Sequence, residues 1–306
     1  MKQVISFSGG RTSAYLVYLM EQKRVNDDWD VEYVFMDTSA EHPKTYDFIR
    51  KCVEHFGIEL TCLQADFNQP IGEGHTYKIV SIYDLKHDPV NGVYGQMMRK
   101  YGVPTIASSW CTSRMKEETH DKYCNDKYGK GNYITWLGMR ADEPRRVKLP
   151  NNRGIRYLAE LSDFEKIDVL RWWKDMPFDL EIGEHLGNCV FCFKKSIGKV
   201  ALAAIDEPQL LREWQKSIEN ASDRLNQPIQ KETGGLFNET YTQHIEKGVM
   251  YRGKNTVETI IAKFSLFDRD EIHETLKSMK RYESDSCSES CEAFGDPSQI
   301  DMFEDK

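Results

Sequence analysis

The sequence predicts an α/β fold: a doubly wound, mostly parallel sheet with a helical C-terminal extension. Over residues 3–174, short apolar runs of strand length alternate with segments of helical spacing. Alternation at such short spacing is typical of an open parallel sheet with helices on both faces. Beyond about residue 180 the patterns are mostly helical, apart from a predicted loop at residues 187–193 and a polar, irregular stretch at residues 224–253. The chain is therefore predicted to combine one sheet domain with a helical part.

The elements follow in order along the chain. The predicted strands are residues 3–8, 31–36, 58–63 and 133–138, and the predicted helices between them are residues 12–23, 43–55, 112–128 and 167–174. Ser162 and Glu165 have the spacing of a capping box before the last of these helices. Residues 68–110 break the alternation and are rich in Gly, Pro, His and Tyr. They predict an inserted, partly irregular segment of the kind that often carries function.

Three parts are predicted. Residues 1–180 form the sheet domain, residues 181–282 form a mostly helical part, and residues 283–306 form an acidic tail that we expect to be mobile and solvated. The tail holds eight acidic residues against one lysine, which is −7 of the net charge of −8. The body is thus nearly neutral, which neither supports nor excludes binding of nucleic acid.

Composition also bounds the compartment. No window approaches the ~18–20 continuous apolar residues of a membrane span, and the first apolar run is too short for a signal peptide. We therefore expect a cytoplasmic protein with no membrane partner. In that compartment the eight cysteines are expected to be reduced thiols, ligands of a metal or cluster, or catalytic groups.

The first predicted strand ends in a loop that suits an anion. The loop residues are Ser8, Gly9, Gly10, Arg11, Thr12 and Ser13. Ligands of open α/β sheets bind at the carboxyl ends of strands, and the first N–H groups of a helix have no intrahelical partners. Two glycines allow close approach, and the hydroxyls and Arg11 add donors. The alternative is that the glycines only make a tight turn.

The motifs of this chain resemble a known family. Residues 8–13 match SGGxxS, the signature of the PP-loop in the adenine nucleotide alpha hydrolase superfamily, with Arg11 where a lysine is common. Three further stretches resemble the phosphoadenosine phosphosulfate (PAPS) reductase branch, which also contains DNA phosphorothioation enzymes: FMDTSAEHPKTYDFI from residue 35, WCTSRMK from residue 110 and LGMRADEPRR from residue 137. The resemblance covers roughly residues 3–195.

The resemblance implies a Rossmann-like domain that binds ATP or a related adenine nucleotide with Mg²⁺. The loop would hold the pyrophosphate or the anion of a sulfonucleotide, and Asp37 would face the nucleotide. The implied catalytic residues are Lys116, Arg140, Asp142 and Arg146. Cations there would neutralise phosphate or sulfate oxygens, whereas Asp142 and Glu143 would hold Mg²⁺ or pair with the arginines. Without the family match, a solvated charged loop would explain residues 140–146 equally well.

The implied function is ATP-dependent adenylation of an acceptor coupled to sulfur transfer, as in PP-loop ATP pyrophosphatases and sulfurtransferases. One alternative is reduction of PAPS or adenylyl sulfate with release of sulfite. Another is a nucleotide-sensing protein without turnover. The partners implied are a small-molecule nucleotide, a nucleic-acid or protein acceptor and a sulfur donor. Oligomerisation is left open.

Cys189 and Cys192 form a C-x-x-C pair followed by two lysines, a pattern that suits a metal or a redox pair. In family members with a [4Fe–4S] cluster, ligands come from such a pair and from an earlier Cys-Cys, which here is Cys111 followed by Thr112. The resemblance thus implies three ligands, Cys111, Cys189 and Cys192.

The fourth cluster ligand is assigned to Cys287, with Cys291, Cys124 or a non-protein ligand as alternatives. Zinc and cysteines without metal also remain open. Cys52 and Cys62 lie in apolar contexts and are predicted to be core residues. Four histidines show no metal-ligand spacing and are expected to be surface or hydrogen-bonded residues: His42, His75, His87 and His120.

Overall fold

The computed structural model describes residues 1–70, 72–106, 109–144, 146–147, 154–222, 229–230, 240–241 and 248–279. Its main sheet has six strands: β1 (Lys2–Ser6), β2 (Val31–Asp37), β3 (Leu60–Asp66), β4 (Thr76–Val80), β5 (Tyr133–Leu137) and β6 (Ile155–Tyr157). Their order is β4-β3-β2-β1-β5-β6, and only β4 runs antiparallel to its neighbour. The predicted doubly wound, mostly parallel fold is confirmed.

Strand β1 is the centre of this sheet. It pairs with β2 from Gln3 to Ser6 and with β5 from Lys2 to Ser6. Val4 and Ile5 are fully buried, one on each face, as expected for a strand covered on both sides. Because these three strands are parallel, their carboxyl ends lie at one edge, and the loops that follow them are neighbours.

Helices cover both faces and form the C-terminal part. Within the described residues they are α1 (Arg11–Asp27), α2 (Pro43–Phe56), α3 (Val93–Tyr101), α4 (Trp110–Thr112), α5 (Glu118–Tyr128), α6 (Lys166–Lys174), α7 (Ile197–Asp206), α8 (Pro208–Glu219), α9 (Val257–Phe264) and α10 (Arg269–Met279). A two-stranded ribbon pairs β7 (Ile229–Gln230) with β8 (Thr240–Tyr241). None of these helices is long and apolar enough to cross a membrane.

Two features differ from the sequence expectations. Residues 68–110 contain strand β4 and helix α3 within otherwise irregular chain. The N-cap of helix α6 is Glu165, whose backbone N–H donates to the Asp168 carboxylate at 3.1 Å, and not Ser162. The hydroxyl of Ser162 instead accepts from the Phe164 N–H at 3.2 Å, which closes a local turn before the helix begins.

Helices α4 and α5 are joined by one π-helical turn, Ser113–Glu117. A π-turn widens the helix by one residue and is often found at functional sites. Here it lies between Cys111 and α5 and contains Lys116, and both residues are buried.

The C-terminal helices pack onto the sheet domain through a shared apolar cluster. Met97 and Met98 of α3 belong to the same buried cluster as Phe191, Phe193 and Trp214. The rings of Tyr94 and Trp214 are 4.8 Å apart. Helix α3 therefore packs directly against the C-terminal part. The predicted acidic tail, residues 283–306, lies outside the described residues, and the boundary near residue 180 stays a prediction.

Candidate functional site

The loop after β1 has the conformation that its glycines allow. Gly9 lies in the left-handed region with φ +78°, and Gly10 is the N-cap of α1. The hydroxyl of Ser13 accepts from the Ser8 N–H at 3.2 Å and lies 2.9 Å from the Ser8 hydroxyl. The two serines thus brace the loop across its base, and Gly10 leaves the start of the helix without a side-chain cap.

Neighbouring elements approach this loop too closely for a larger side chain. A Cβ on Gly9 would lie 2.9 Å from Ile49 and 3.0 Å from Thr45 of α2. A Cβ on Gly138, just after β5, would lie 3.0 Å from the Cα of Ser13. Glycine is needed at 9 for both space and φ, and at 138 for space alone.

Arg11 points away from the anion side that the sequence analysis expected. Its Nε donates to Asp179 at 2.6 Å, and its guanidinium also donates to the Asp179 carboxylate at 3.1 Å and to the Leu180 carbonyl. The Arg11 carbonyl accepts from the Trp173 indole at 2.9 Å. In this structure Arg11 ties the loop to the segment after α6.

Asp37 ends β2 and is completely buried. It accepts from the Ser39 N–H at 2.8 Å, the Gln64 amide at 2.6 Å and the Tyr46 hydroxyl at 2.8 Å. Burial, and next the charge of Glu41, raises the pKa of Asp37 to about 6, against the lowering effect of these hydrogen bonds. The carboxyl group is thereby fixed by the protein and shapes the loop after β2.

Glu41 was not singled out by sequence, yet it connects this loop to Lys116. Its carboxylate accepts from the Thr38 hydroxyl at 2.7 Å and from Tyr46 at 3.2 Å. Lys116 Nζ lies 3.9 Å from the same carboxylate, and both side chains are buried. Lys116, from the π-turn, is therefore brought to the carboxyl edge of the sheet beside β2.

The third strand end carries the charged cluster of residues 140–146. Arg140 pairs with Asp142 at 2.7 Å and donates to the Thr12 hydroxyl of the loop at 3.3 Å. Glu143 pairs with Arg146 at 2.9 Å and accepts from the Arg140 N–H at 2.9 Å. Of the two roles expected for Asp142 and Glu143, the structure shows pairing with arginines. Arg140 contacts the loop directly, as its expected role requires.

Cys111 lines one small cavity together with Cys189 and Cys192 of the distant C-x-x-C pair. The thiol cavity, as we call it, is lined by Thr38, Tyr94, Cys111, Thr112, Met115, Lys116, Cys189 and Cys192. All three cysteines are buried. The Thr38 hydroxyl lies 3.5 Å from the sulfur of Cys189. The predicted trio therefore meets beside Lys116, and Cys287 lies outside the described residues.

The C-x-x-C turn is held in place by backbone contacts and a buried lysine. Cys189 forms an isolated bridge with Glu41, and the Val190 N–H donates to the Ala40 carbonyl at 3.1 Å. Lys195 Nζ donates to the carbonyls of His185 at 2.6 Å and Val190 at 2.9 Å, and its side chain is 2% exposed. The C-terminal part thus delivers its cysteines to the loop after β2.

Comparison with known proteins agrees with this geometry. Residues 2–151 match the family model described as phosphoadenosine phosphosulfate reductase domain. The chain is 46% identical to the uncharacterized nin region protein ORF290 of Escherichia phage lambda over 303 residues. This aligned region covers 99% of this chain and 98% of that protein. The chain belongs to the phosphoadenosine phosphosulfate reductase domain family.

A more distant relative of this PAPS reductase-like chain is the uncharacterized protein MJ0066 of Methanocaldococcus jannaschii. It is 21% identical over 237 residues, which is 73% of this chain and 42% of that protein. The resemblance inferred from the motifs is confirmed by the family match. It supports a nucleotide-binding protein of the PAPS reductase class, with an adenine nucleotide as the ligand.

The thiol cavity fits a metal cluster only in part. Three cysteines are suitable ligands in kind, but the cavity among them has a volume of about 10 Å³, the room of roughly one water molecule. In the part of the chain that the structure describes, no three His, Cys, Asp or Glu side chains are placed to hold a metal ion. No reaction step is therefore assigned to a cluster.

Other cysteines lie in the core. Cys52 and Cys62 are fully buried in the apolar cluster between the sheet and α2, as predicted. Burial raises the pKa of Cys62 to about 12 and that of Cys52 further. Cys124 of α5 lies 3.6 Å from the His120 ring and does not line the thiol cavity.

Tyr94 lines the site but was not identified from the sequence. It lies in the first turn of α3, within residues 68–110, and is 2% exposed where it lines the thiol cavity. Burial, followed by the charges of the three cysteines, raises its pKa well above the usual value. Gly92 and Gly95 flank it, and a Cβ on either would lie within 2.4 Å of neighbouring atoms. Such paired glycines indicate a close backbone approach.

Proposed function

We propose that this chain is an enzyme that binds an adenine nucleotide at residues 8–13 and acts at its α-phosphate, in an ATP-dependent adenylation coupled to sulfur transfer. The observation that carries the proposal is the thiol cavity. Three cysteines and Lys116 meet at the sheet edge that also holds the glycine loop. A nucleotide fold alone would not require thiols there.

The loop and its neighbours supply the nucleotide site of the proposal. The N–H groups at the start of α1 and the hydroxyls of Ser8 and Thr12 would donate to the pyrophosphate of ATP. Arg140, already in contact with Thr12, would add charge-assisted hydrogen bonds after exchange of its Asp142 partner. Mg²⁺ would arrive with the phosphates, because both nearby carboxylates are paired with arginines.

The reaction has two proposed steps. An acceptor oxygen attacks the α-phosphorus, gives up its proton, and pyrophosphate leaves. A donor persulfide first transfers its outer sulfur to one cysteine thiolate of the cavity, which leaves the donor as a thiol. The terminal sulfur of this cysteine persulfide attacks the activated carbon of the acceptor and displaces AMP, which joins the cysteine to the acceptor by a disulfide. A second cysteine thiolate attacks the sulfur of the first cysteine and releases the thiolated acceptor, and a thiol reductant reopens the disulfide between the two cysteines. Lys116 would offset the negative charge that develops between the nucleotide and the thiols. Three thiols in one cavity supply both the carrier and the resolving cysteine.

The family match favours a second candidate, reduction of a sulfonucleotide. The same site would hold PAPS or adenylyl sulfate, a cysteine thiolate would attack the sulfur, and the nucleotide would leave. A second thiol would then release sulfite and close a disulfide. A nucleotide-sensing protein, the third candidate, would bind ATP and release neither pyrophosphate nor AMP.

The test supplies the reduced protein under anaerobic conditions either with ATP, Mg²⁺, a persulfide donor and a desalted cell extract as the source of the acceptor, or with PAPS alone. It measures pyrophosphate, AMP and sulfite above the amounts that the extract forms without the protein. Pyrophosphate from ATP supports adenylation, whereas sulfite from PAPS supports the reductase. Cys189→Ala should abolish AMP release and leave nucleotide binding unchanged, and Cys52→Ala, a core cysteine, is the matched control. ATP binding without any product would contradict both enzymatic proposals and leave the sensor.

A [4Fe–4S] cluster on Cys111, Cys189 and Cys192 is proposed separately, because these three cysteines line one cavity, which would have to widen to admit a cluster. Anaerobic purification with iron and sulfide assays decides it. About four irons per chain, lost in Cys189→Ala and kept in Cys52→Ala, would support a cluster. An iron-free protein from anaerobic cells would contradict it and leave the thiol chemistry above.

A further inference from the structure

A second and larger cavity lies on the other side of the C-x-x-C segment. The histidine pocket, as we call it, has a volume of about 250 Å³ and is lined by the start of α2, residues 181–186, α7 and α10. His42, His185 and His273 belong to its wall. None of its lining residues lines the thiol cavity.

The two cavities lie back to back across two paired chain segments. Thr38 lines the thiol cavity, whereas His42, four residues later, lines the histidine pocket. On the facing segment, His185 lines the pocket and Cys189 lines the thiol cavity. Glu41 and Cys189 pair as a β-bridge between the segments. Each of the two paired segments therefore contributes residues to both cavities.

Asp206, Glu184, Lys199 and Arg269 of the pocket already have charged partners. Asp206 accepts from the Arg269 guanidinium at 2.6 and 2.9 Å and pairs with His185 at 2.9 Å. Glu184 pairs with Lys166 at 2.8 Å and with Lys199 at 3.3 Å. A strongly charged ligand would have to break these pairs, so the pocket favours an uncharged one.

Both ring nitrogens of His42 form hydrogen bonds within the protein, so this residue is a structural part of the pocket wall. Its Nδ1 accepts from the Lys44 N–H at 3.1 Å, so its proton is on Nε2, which donates to Glu207 at 3.1 Å. Burial lowers its pKa and favours this neutral form. His42 therefore has no ring nitrogen left to offer a ligand.

His185 differs from His42 in one respect. Its Nε2 donates to Asp206, and Arg269 holds that carboxylate from its other side. The residue is 8% exposed, and burial lowers its pKa, which favours a neutral ring. Nδ1 makes no hydrogen bond to any residue in the described ranges. A neutral ring with its proton on Nε2 leaves Nδ1 as a hydrogen-bond acceptor.

The backbone of Gly183 packs closely against the ring of His185. A Cβ at Gly183 would lie 2.5 Å from Cε1 and 2.7 Å from Nδ1 of His185. The walls also include the apolar side chains Ile182, Leu202 and Leu276. A volume of about 250 Å³ is large enough for one small ring.

We propose that the histidine pocket binds a small uncharged ring or amide of nucleobase size, whose N–H donates to Nδ1 of His185. Resting on the proposed function, this group belongs to the acceptor, which the pocket would place beside the thiol cavity. Asp206 and Arg269 act as positioning residues because they fix the tautomer and orientation of the ring.

The test uses the full chain and free uracil as the probe, with binding followed by ligand-observed NMR. The matched ligand is 1,3-dimethyluracil, which keeps the ring and lacks both N–H donors. His185→Phe removes the acceptor but keeps a flat ring, and Gly183→Ala displaces the ring by its Cβ. His55→Phe, an exposed histidine of α2 outside the pocket, is the control variant.

We expect uracil to bind and its dimethyl derivative to bind at least about tenfold more weakly, the usual effect of one lost hydrogen bond at a buried acceptor. His185→Phe and Gly183→Ala should lose uracil binding by a similar factor while His55→Phe retains it. Thermal unfolding and ATP binding of each variant show that the fold is intact. Absence of uracil binding to the wild type, equal binding of the two ligands, or unchanged binding in His185→Phe would overturn the proposal. Because ATP and pyrophosphate are measured separately, failure of the proposed function is a distinguishable result.

Discussion

Replacement of Gly9 by alanine is the most direct perturbation of the nucleotide loop. The new side chain would have to keep φ at +78°, which costs about 1–2 kcal/mol for a residue with a Cβ. Its Cβ would also lie 2.9 Å from the tip of Ile49 and 3.0 Å from Thr45. Because the Ile49 tip can move, this contact adds about 1 kcal/mol or less.

Gly57→Ala supplies a matched control at the C-cap of α2. Its φ is +64°, and no atom lies within 4 Å of the added Cβ. The conformational cost of about 1–2 kcal/mol is therefore present without the contact and away from the loop. Urea unfolding followed by tryptophan fluorescence should give a loss of about 2–3 kcal/mol for Gly9→Ala and about 1–2 kcal/mol for Gly57→Ala.

Nucleotide binding separates the two variants more strongly. If Gly9→Ala relaxes its strain, the loop N–H groups turn away from their present directions, and ATP should bind at least about tenfold more weakly by calorimetry. Gly57→Ala should bind ATP as the wild type does. ATP binding by Gly9→Ala at the wild-type affinity would refute the assignment of residues 8–13 as the phosphate loop.

Three further predictions concern buried polar groups. The pKa of Asp37 is raised from 3.8 to about 6, so between these pH values the folded state holds a proton that the unfolded state has released. The free energy of unfolding should therefore fall by up to ~3 kcal/mol as pH rises from about 4 to about 6. Urea unfolding of Asp37→Asn at a series of pH values should show a flatter profile over that range. Lys195→Met leaves the carbonyls of His185 and Val190 without their donor and should cost about 2–4 kcal/mol by the same unfolding assay, whereas exposed Lys51→Met should change stability by less than about 0.5 kcal/mol. Asp179→Ala should lower stability by about 1 kcal/mol or less, since the Arg11 pair is partly exposed, and the double variant with Arg11→Ala should show non-additive losses; additive losses would argue against the pair.

Much of the site was predictable because its parts follow strands directly. The motif at residues 8–13 follows β1, Asp37 ends β2, and Arg140 follows β5, so parallel pairing alone brings these positions to one edge. The contact between Arg140 and Thr12 is a consequence of that topology. Glycines at 9 and 138 are needed there because α2 and α1 approach closely.

Other parts of the site depend on contacts between distant segments. Tyr94 reaches the thiol cavity from α3, inside a segment whose composition suggested irregular chain. His185 gains its fixed tautomer from Asp206, which is 21 residues away, and from Arg269, which is 63 residues beyond Asp206. Spacing rules along one element do not detect such long-range pairs. The orientation of Arg11 toward Asp179 was likewise invisible in the motif.

The sequence by itself determined the alternation of strands and helices, the glycine loop at residues 8–13 and the family, because each depends on neighbouring residues and on a short motif. Only the tertiary structure decided that Cys111, Cys189 and Cys192 share a cavity with Lys116 and Tyr94, and that a histidine pocket lies behind it. The physical reason is packing. Burial of apolar side chains between α3 and the C-terminal part brings distant segments together. The sequence shows which residues are apolar, but it does not show which of them pack against one another.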